Sequence, residues 1–314
     1  MRGATPNQSQ VFYGEHPIPR AFHFPGLASM IPGAALAGIQ YTPGNFDAAH
    51  GNAVGGIVLL APRNGRRDGV HGMAKLDITT SGAMVEGPLG RGSFLIGAQR
   101  GYLDLVLRRF SALSGSPLPR SYDYQAIFNH PVGHGSITTR FLGGSDSVHA
   151  SSGANGGRNN DLRSEFHRVD LSLRQRLGIT ELLVAPAVRF DRSGFDTDAN
   201  HSLRLGYHRH DTVGLLRTEL IVRPSPRFRL TVGLDTQLDH NTILQPRTLP
   251  ATAALGPPTR TRGLDTRTGL YVEPLLTLRT VTLAPALRIN AFTSASSRAA
   301  SVDPRLTLRW APHR

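Results

Sequence analysis

The sequence contains no cysteine. That excludes a disulfide framework, a thiolate metal site and a cysteine nucleophile. Lysine is nearly absent: Lys75 stands alone, and the remaining basic charge is arginine. No apolar run approaches the ~20 residues that a membrane-spanning helix needs. The first residues, Met1 to Gln8, lack the apolar core of a signal peptide. Aromatic residues make up only 7% of the chain, so any interfacial girdle is thin. Its candidate members are Tyr102, Tyr122, Tyr124, Phe141, Phe190, Tyr271 and Trp310. None of these absences excludes a chain that crosses a membrane as strands, because such strands alternate apolar and polar residues.

What is present is turn material and positive charge. Gly (34) and Pro (22) are frequent among 314 residues, which favours many turns and few long helices. The formal net charge is +13. The arginines stand singly along the chain, as at Arg168, Arg189, Arg217, Arg229 and Arg288, with no basic helix, finger or aromatic RNA-binding strand. Charge without a motif is not a nucleic-acid signature, so no nucleic-acid partner is expected.

From Val70 onward the hydrophobic period is 2. Ala74, Leu76 and Ile78 alternate with Lys75, Asp77 and Thr79. Val169, Leu171 and Leu173 alternate with Asp170, Ser172 and Arg174, and Leu306, Leu308 and Trp310 with Arg305, Thr307 and Arg309. Roughly twelve such segments of about ten residues follow one another, the length at which a tilted strand crosses a bilayer. Short turns at Gly90–Gly92, Gly133–Gly135, Gly178–Ile179, Ser225–Pro226 and Arg279–Thr280 alternate with long polar stretches. The long stretches are read as loops at Phe110–Ser121, Asp146–Ser164, Ser193–Ser202, His240–Gly263 and Thr293–Asp303. Loops short on one side and long on the other fit an outer-membrane barrel better than a soluble sandwich. Pro186, Pro274 and Pro285 are awkward in this scheme, since proline cannot donate to a ladder; strand ends or bulges would accommodate the last two.

Upstream, Tyr41 to Leu60 reads as turn, loop and strand. Pro43–Gly44 is a turn pair, and Gly51, Gly55 and Gly56 precede the apolar run Ile57–Leu60. Glycines packed this tightly before a buried strand predict the close approach of another backbone or wall. Met30 to Ile39 is read as a short helix or turn leading into a strand.

Ala37-Gly38-Ile39-Gln40-Tyr41-Thr42-Pro43-Gly44, followed by Gly51-Asn52-Ala53-Val54-Gly55-Gly56-Ile57-Val58, resembles the end of the plug domain of TonB-dependent outer-membrane receptors. His50 stands where that family usually has tyrosine. Phe12-Tyr13-Gly14-Glu15-His16-Pro17-Ile18-Pro19 with Phe22-His23-Phe24 is similar to an earlier plug segment, with Gly14-Glu15 in place of the usual Asp-Gly. Ser93 to Asp104, with its preceding hairpin, is similar to the first barrel strands. The resemblance implies an all-β fold: a partial plug over residues 1–67, then an incomplete transmembrane antiparallel β-barrel over residues 68–314, about 12 of about 22 strands. It implies further that a signal peptide, the TonB box and later strands lie outside this chain, which would make it a truncated piece. The implied function is receptor and transporter in the outer membrane of a Gram-negative bacterium, taking up a scarce ligand such as a siderophore, cobalamin or carbohydrate. The implied partners are the TonB–ExbB–ExbD complex, outer-membrane lipid and a small-molecule ligand such as a ferric siderophore. Rival readings are a non-transporting surface module (adhesin or structural) and a passive porin.

No enzyme motif supports catalysis: no Gly-x-Ser-x-Gly accompanies the histidines at His149 and His240. His208 and His210 would share a strand face about 7 Å apart, which without a third ligand does not make a metal site. No cofactor is expected. The resemblance places Glu86 and Asp104 between plug and wall. The candidate ligand-facing residues, assigned to loops, are Arg158, Asn159, Asn160, His208, His210, Arg247, Arg260 and Arg262.

Overall fold

The computed structural model describes residues 9–24, 26, 28–53, 55–109, 118–151, 159–199, 203–247 and 256–312. Two sheets hold most of them. The first holds β1 (Ser9–Tyr13), β2 (His16–Ile18), β3 (Leu36–Thr42) and β4 (Gly56–Pro62), in the order β2-β1-β4-β3. β1 runs parallel to β4, so a long connection separates them; the other pairs are antiparallel. A 3-10 turn at Gly33–Ala35 leads into β3, as the sequence predicts.

The second sheet is a twelve-stranded antiparallel meander. It comprises β5 (His71–Leu76), β6 (Thr80–Leu89), β7 (Gly92–Gly101), β8 (Leu118–Val132), β9 (Gly135–Ser151), β10 (Asn159–Leu177), β11 (Thr180–Ala199), β12 (Leu203–Ser225), β13 (Phe228–Arg247), β14 (Gly256–Leu278), β15 (Val281–Thr293) and β16 (Arg298–Trp310). A short helix, α1 (Leu103–Arg108), follows β7. Strands pair only with their neighbours in sequence, and β5 and β16 form the two open edges. The result is a partial β-barrel wall.

Alternation places the four-stranded plug sheet. In β8, Ser121, Asp123, Gln125, Ile127 and Asn129 are buried, while Tyr122 and Tyr124 are exposed. In β10, Phe166, Arg168, Asp170 and Ser172 are buried, while Val169 is exposed. The polar row is therefore the covered, inner row, and the apolar row faces outward. That inverts a soluble protein and matches a barrel wall with a filled lumen. The shared core crosses between the sheets: Tyr13, Ile18, Met30, Ile31 and Leu60 of the plug pack with Leu142 and Phe166 of the wall.

Three expectations require correction. Among the described residues, the long polar stretches Asp146–Ser164, Ser193–Ser202, His240–Gly263 and Thr293–Asp303 are mostly strand, and residues 110–117, 152–158, 200–202 and 248–255 of the expected loops lie outside the described residues. β9 runs to Ser151 and β10 begins at Asn159; β13 runs to Arg247 and β14 begins at Gly256; between β15 and β16 only residues 294–297 lie outside strands. The apolar part of β11, Leu182 to Phe190, is of bilayer length, but the strand continues to Ala199. Beyond the apolar band both faces meet water or polar groups, so alternation fades while the ladder persists. Secondly, Asp77–Thr79 is a turn, although Ile78 extends the alternating pattern. Asp77 Oδ1 accepts from the backbone N–H of Thr79 (2.9 Å) and of Thr80 (2.7 Å), the side-chain bonding that favours aspartate in turns. Thirdly, the prolines sit within strands rather than at their ends. Pro274 and Pro285 stand opposite each other in the stretch where β14–β15 pairing lapses between Val272↔Leu287 and Leu276↔Leu283. Pro186 lies in the lapse between Asp170↔Ala187 and Leu173↔Val184. Each interrupted ladder is where a donor is missing.

Candidate functional site

The plug is fastened to the wall by charged side chains. Gly14 has positive φ (64°), and the turn between β1 and β2 turns Glu15 toward the wall. Its carboxylate accepts from Arg140 of β9, and from Arg174 (3.0 Å) and Ser172 (3.0 Å) of β10. Arg140 also donates to Asp170 (2.8 Å). Burial alone would raise the Glu15 carboxyl, but the charges and hydrogen bonds of Arg140 and Arg174 outweigh it and hold it well below the usual carboxylate range.

Next to it, the fully buried Arg168 donates to the main-chain carbonyls of Tyr13 (2.7 Å) and His16 (3.0 Å). It pairs with Asp170 on its own strand at 2.9 Å. The Tyr13 hydroxyl donates to Gln125 at 2.9 Å. Burial, aided by the charge of Arg168, pushes the His16 imidazole down to about 3, so it is neutral and donates through Nε2 to the Ala185 carbonyl (3.0 Å).

The glycine-rich stretch meets a second anchor. A Cβ on Gly51 would lie 2.5 Å from Nε of Arg288 in β15. Arg288 donates to the Ala48 carbonyl (3.1 Å) and grips Asp235 at 2.7 and 2.9 Å. Gly56 has φ of 127°, and a Cβ there would meet the Thr42 carbonyl at 3.0 Å. The predicted close approach is thus to the wall at Gly51 and to another strand at Gly56. Pro43 and Gly44 form the bend after β3, with open space around Gly44, and Gly55 is buried just before β4. At the end of the plug, Arg63 forms a two-pronged pair with Glu86 of β6. Glu86 therefore lies between plug and wall as expected; Asp104 is buried at the start of α1.

The other end of the plug carries a cavity. These contacts lie toward the rim where the strands are longest. His23 donates from both ring nitrogens, to Asp123 (2.5 Å) and Asp146 (2.6 Å) on the wall. Burial would lower its pKa, but the hydrogen bonds and charges of the two carboxylates raise it to about 9, so it is an imidazolium at neutral pH. Arg20 pairs with Asp146 (2.8 Å) and donates to the Ser164 carbonyl (2.6 Å). Above them opens a cavity of about 310 Å³ lined by Arg20, Phe22, His23, Phe24, Val148 and Leu162. Phe22 and Phe24 are exposed at 60% and 51%. Two exposed aromatic rings therefore stand beside a guanidinium at this cavity.

The ligand-facing residues read from sequence do not converge there. Arg158 lies outside the described residues. Asn159 and Asn160 begin β10, and Arg247 ends β13. His208, His210, Arg260 and Arg262 lie in β12 and β14, not in loops. By strand alternation they belong to the outward row, opposite the buried Val213, Leu215, Arg217 and Tyr271. The apex residues Arg20 and His23 were missed as site residues because their partners are a hundred or more positions away.

No protein-family model and no curated protein matches the chain. Solved structures do. The copper transporter OprC is 9% identical with a TM-score of 0.69, over 98% of this chain and 53% of its own. The FrpB iron transporter from Neisseria meningitidis (F3-3 variant) is 14% identical with a TM-score of 0.68, over 98% and 56%. The siderophore receptor PirA from Acinetobacter baumannii is 12% identical with a TM-score of 0.65, over 100% and 52%. At these identities the likeness shows a shared fold, and the chain spans about half the length of each. The partial plug and barrel expected from the sequence are the fold observed.

Proposed function

We propose that the chain is part of a TonB-dependent receptor of the outer membrane, in which the plug is held in the lumen by reversible polar contacts. The observation that carries this is the seating of the plug. Beside the apolar cluster around Leu142 and Phe166, it rests on buried ion pairs and main-chain hydrogen bonds through Glu15, Arg168 and Arg288. Ion pairs hold firmly when dry and exchange for water when a pull opens them. The TonB–ExbB–ExbD complex, implied by the resemblance, supplies that pull. The apex cavity faces the opposite rim, where a ligand arrives from outside.

A plug-free surface module or an open porin fits less well. Removing residues 1–67 would leave Arg140, Arg168 and Arg288 on the wall without their plug partners, and the plug occupies the lumen that a porin leaves open.

The ligand is a small molecule that covers Phe22 and Phe24 and reaches Arg20. An iron-loaded siderophore of catecholate type meets both needs, offering aromatic faces and negative charge. The test is a titration of the purified chain with ferric enterobactin and with a ferric hydroxamate, on wild type and on Arg20→Ala/Phe22→Ala. Binding weakened at least tenfold in the double variant is expected for the complex that binds. Binding that is absent, or indifferent to the double substitution, sinks the ligand assignment.

A further inference from the structure

The outward face carries a second basic site, away from the apex. Two cross-strand rows define it. Arg100, Tyr122, Ser145, Glu165, Arg192 and His210 are successive partners from β7 to β12. One row further toward the long-strand rim, Arg120, Ser147, Arg163, Gly194 and His208 are successive partners from β8 to β12. Both rows lie immediately beyond the apolar band, whose outward members here are Ile96, Phe141, Val169, Val188 and Phe190.

Between these rows is a cavity of about 410 Å³, lined among others by Arg120, Tyr122, Arg163, Arg192, His208 and His210. The guanidiniums of Arg100 and Arg120 lie 5.4 and 5.7 Å from the centre of the Tyr122 ring. The stacked ring holds both cations near the band's edge. Two carboxylates in these rows or next to them, Glu165 and Asp196, pair with Arg192 (3.3 Å) and His208 (3.1 Å). Four guanidiniums therefore face two carboxylates. Arg120 and Arg163 stand two strands apart, roughly 10 Å at the backbone, a span that two arginine side chains close around one phosphate. Arg192 is mostly exposed despite its pair, so it remains accessible to an anion.

We propose that this outward cleft binds the phosphorylated headgroup of an outer-leaflet lipid, with Arg120, Arg163 and Arg192 as the phosphate-binding residues. The inference rests on the outer-membrane reading. Charge and position select the occupant. An excess of positive charge at the edge of an apolar band meets anionic headgroups at the depth where the acyl chains enter hydrocarbon. A soluble anion would gain nothing from the adjoining Phe141, Val169 and Phe190, whereas a lipid covers them with its chains. The tyrosine between two arginines provides the amphipathic floor at that boundary.

The experiment uses the full chain in detergent micelles and native mass spectrometry of retained lipid. The probes are lipid A with both phosphates, the same glycolipid dephosphorylated, and inorganic phosphate as competitor. The expected result is at least tenfold tighter retention of the phosphorylated form, weakening with added salt. Arg120→Gln/Arg163→Gln/Arg192→Gln loses that preference, and the corresponding triple lysine variant keeps most of it, which separates charge loss from misfolding. Arg260→Gln/Arg262→Gln, on the same face two strands beyond β12, leaves it unchanged. Equal retention of both glycolipids, or a glutamine variant that keeps the preference, overturns the proposal. Inorganic phosphate displacing the lipid at equal affinity also overturns it, in favour of a small-anion site. Insertion into phosphatidylcholine vesicles is measured in parallel. A chain that inserts yet shows no phosphate preference removes this inference alone, and a chain that does not insert removes the membrane reading with it.

Discussion

Arg168, on a wall strand, donates to the main-chain carbonyl of Tyr13, on a plug strand, at 2.7 Å, with its side chain fully buried. A wall side chain thus grips plug backbone, so plug and wall are held by a bond that no plug side chain encodes. Replacing Arg168 with Met removes a donor from each of the carbonyls of Tyr13 and His16 and strips Asp170 of one partner. A loss of about 3–5 kcal/mol is expected, the usual cost of breaking a buried charged pair from one side. Urea unfolding, with limited proteolysis of residues 9–62 as the local readout, measures it; a shift below 1 kcal/mol would contradict the assigned role.

Glu15 is the acidic centre of the same anchor. Glu15→Gln keeps the shape and removes the charge that Arg140 and Arg174 share. Because its folded pKa is depressed, the stabilisation is present above the ordinary carboxylate pKa and is lost as the pH falls through the lower folded value. Wild type should therefore loosen its plug in strong acid, and the glutamine variant should be loosened already at neutral pH. The check is the force, or the urea concentration, at which the plug leaves the wall.

His23 behaves in the opposite sense. Its folded pKa is raised to about 9 from an ordinary value of 6.5. The stabilisation is fully present below about pH 6.5 and disappears as the pH rises through 9. After allowance for solvent screening it is on the order of 2 kcal/mol. Amide exchange of residues 20–31 should accelerate between pH 7 and pH 10, beyond the intrinsic rate change. His23→Gln should abolish that excess; if it persists in the variant, another group controls the apex.

Gly51 is a steric prediction. Valine there would place side-chain carbons where the Arg288 guanidinium lies, at a Cβ–Nε distance of 2.5 Å. Arg288 must move, releasing Asp235 and the Ala48 carbonyl. A destabilisation of about 2–4 kcal/mol is expected from the displaced buried charge. The same change at Gly44, where nothing lies within 4 Å, should cost under 1 kcal/mol. Thermal unfolding of the two variants side by side decides it.

Much of the wall was legible in the sequence. Wherever one face meets an apolar medium and the other a polar interior, the residues alternate, as in Leu182 to Phe190 and in Phe228 to Asp235. Beyond the apolar band that contrast disappears, and the strand ends could not be read: Asp146 and Thr293 looked like loop boundaries but lie within or at the end of continuous strands. The candidate site was less legible. The glycine cluster announced a close approach, and Gly51 shows one, but the sequence did not name Arg288 as the neighbour. His208 and His210 attracted notice as a cluster, yet their side of the sheet depends on register.

The sequence by itself determined a strand-built chain with a polar inner row, an apolar outer row and a glycine-rich segment that something must approach. Period, turn chemistry and the missing helical run are local properties, set by neighbours along the chain. Only the tertiary structure decided which charges meet. Glu15 with Arg140, His23 with Asp123 and Asp146, and Ala48 with Arg288 are joined across a hundred residues or more. Such pairs leave no periodic trace, because an arginine on the inner row satisfies the strand pattern whether its partner is a plug carboxylate, a plug carbonyl or water.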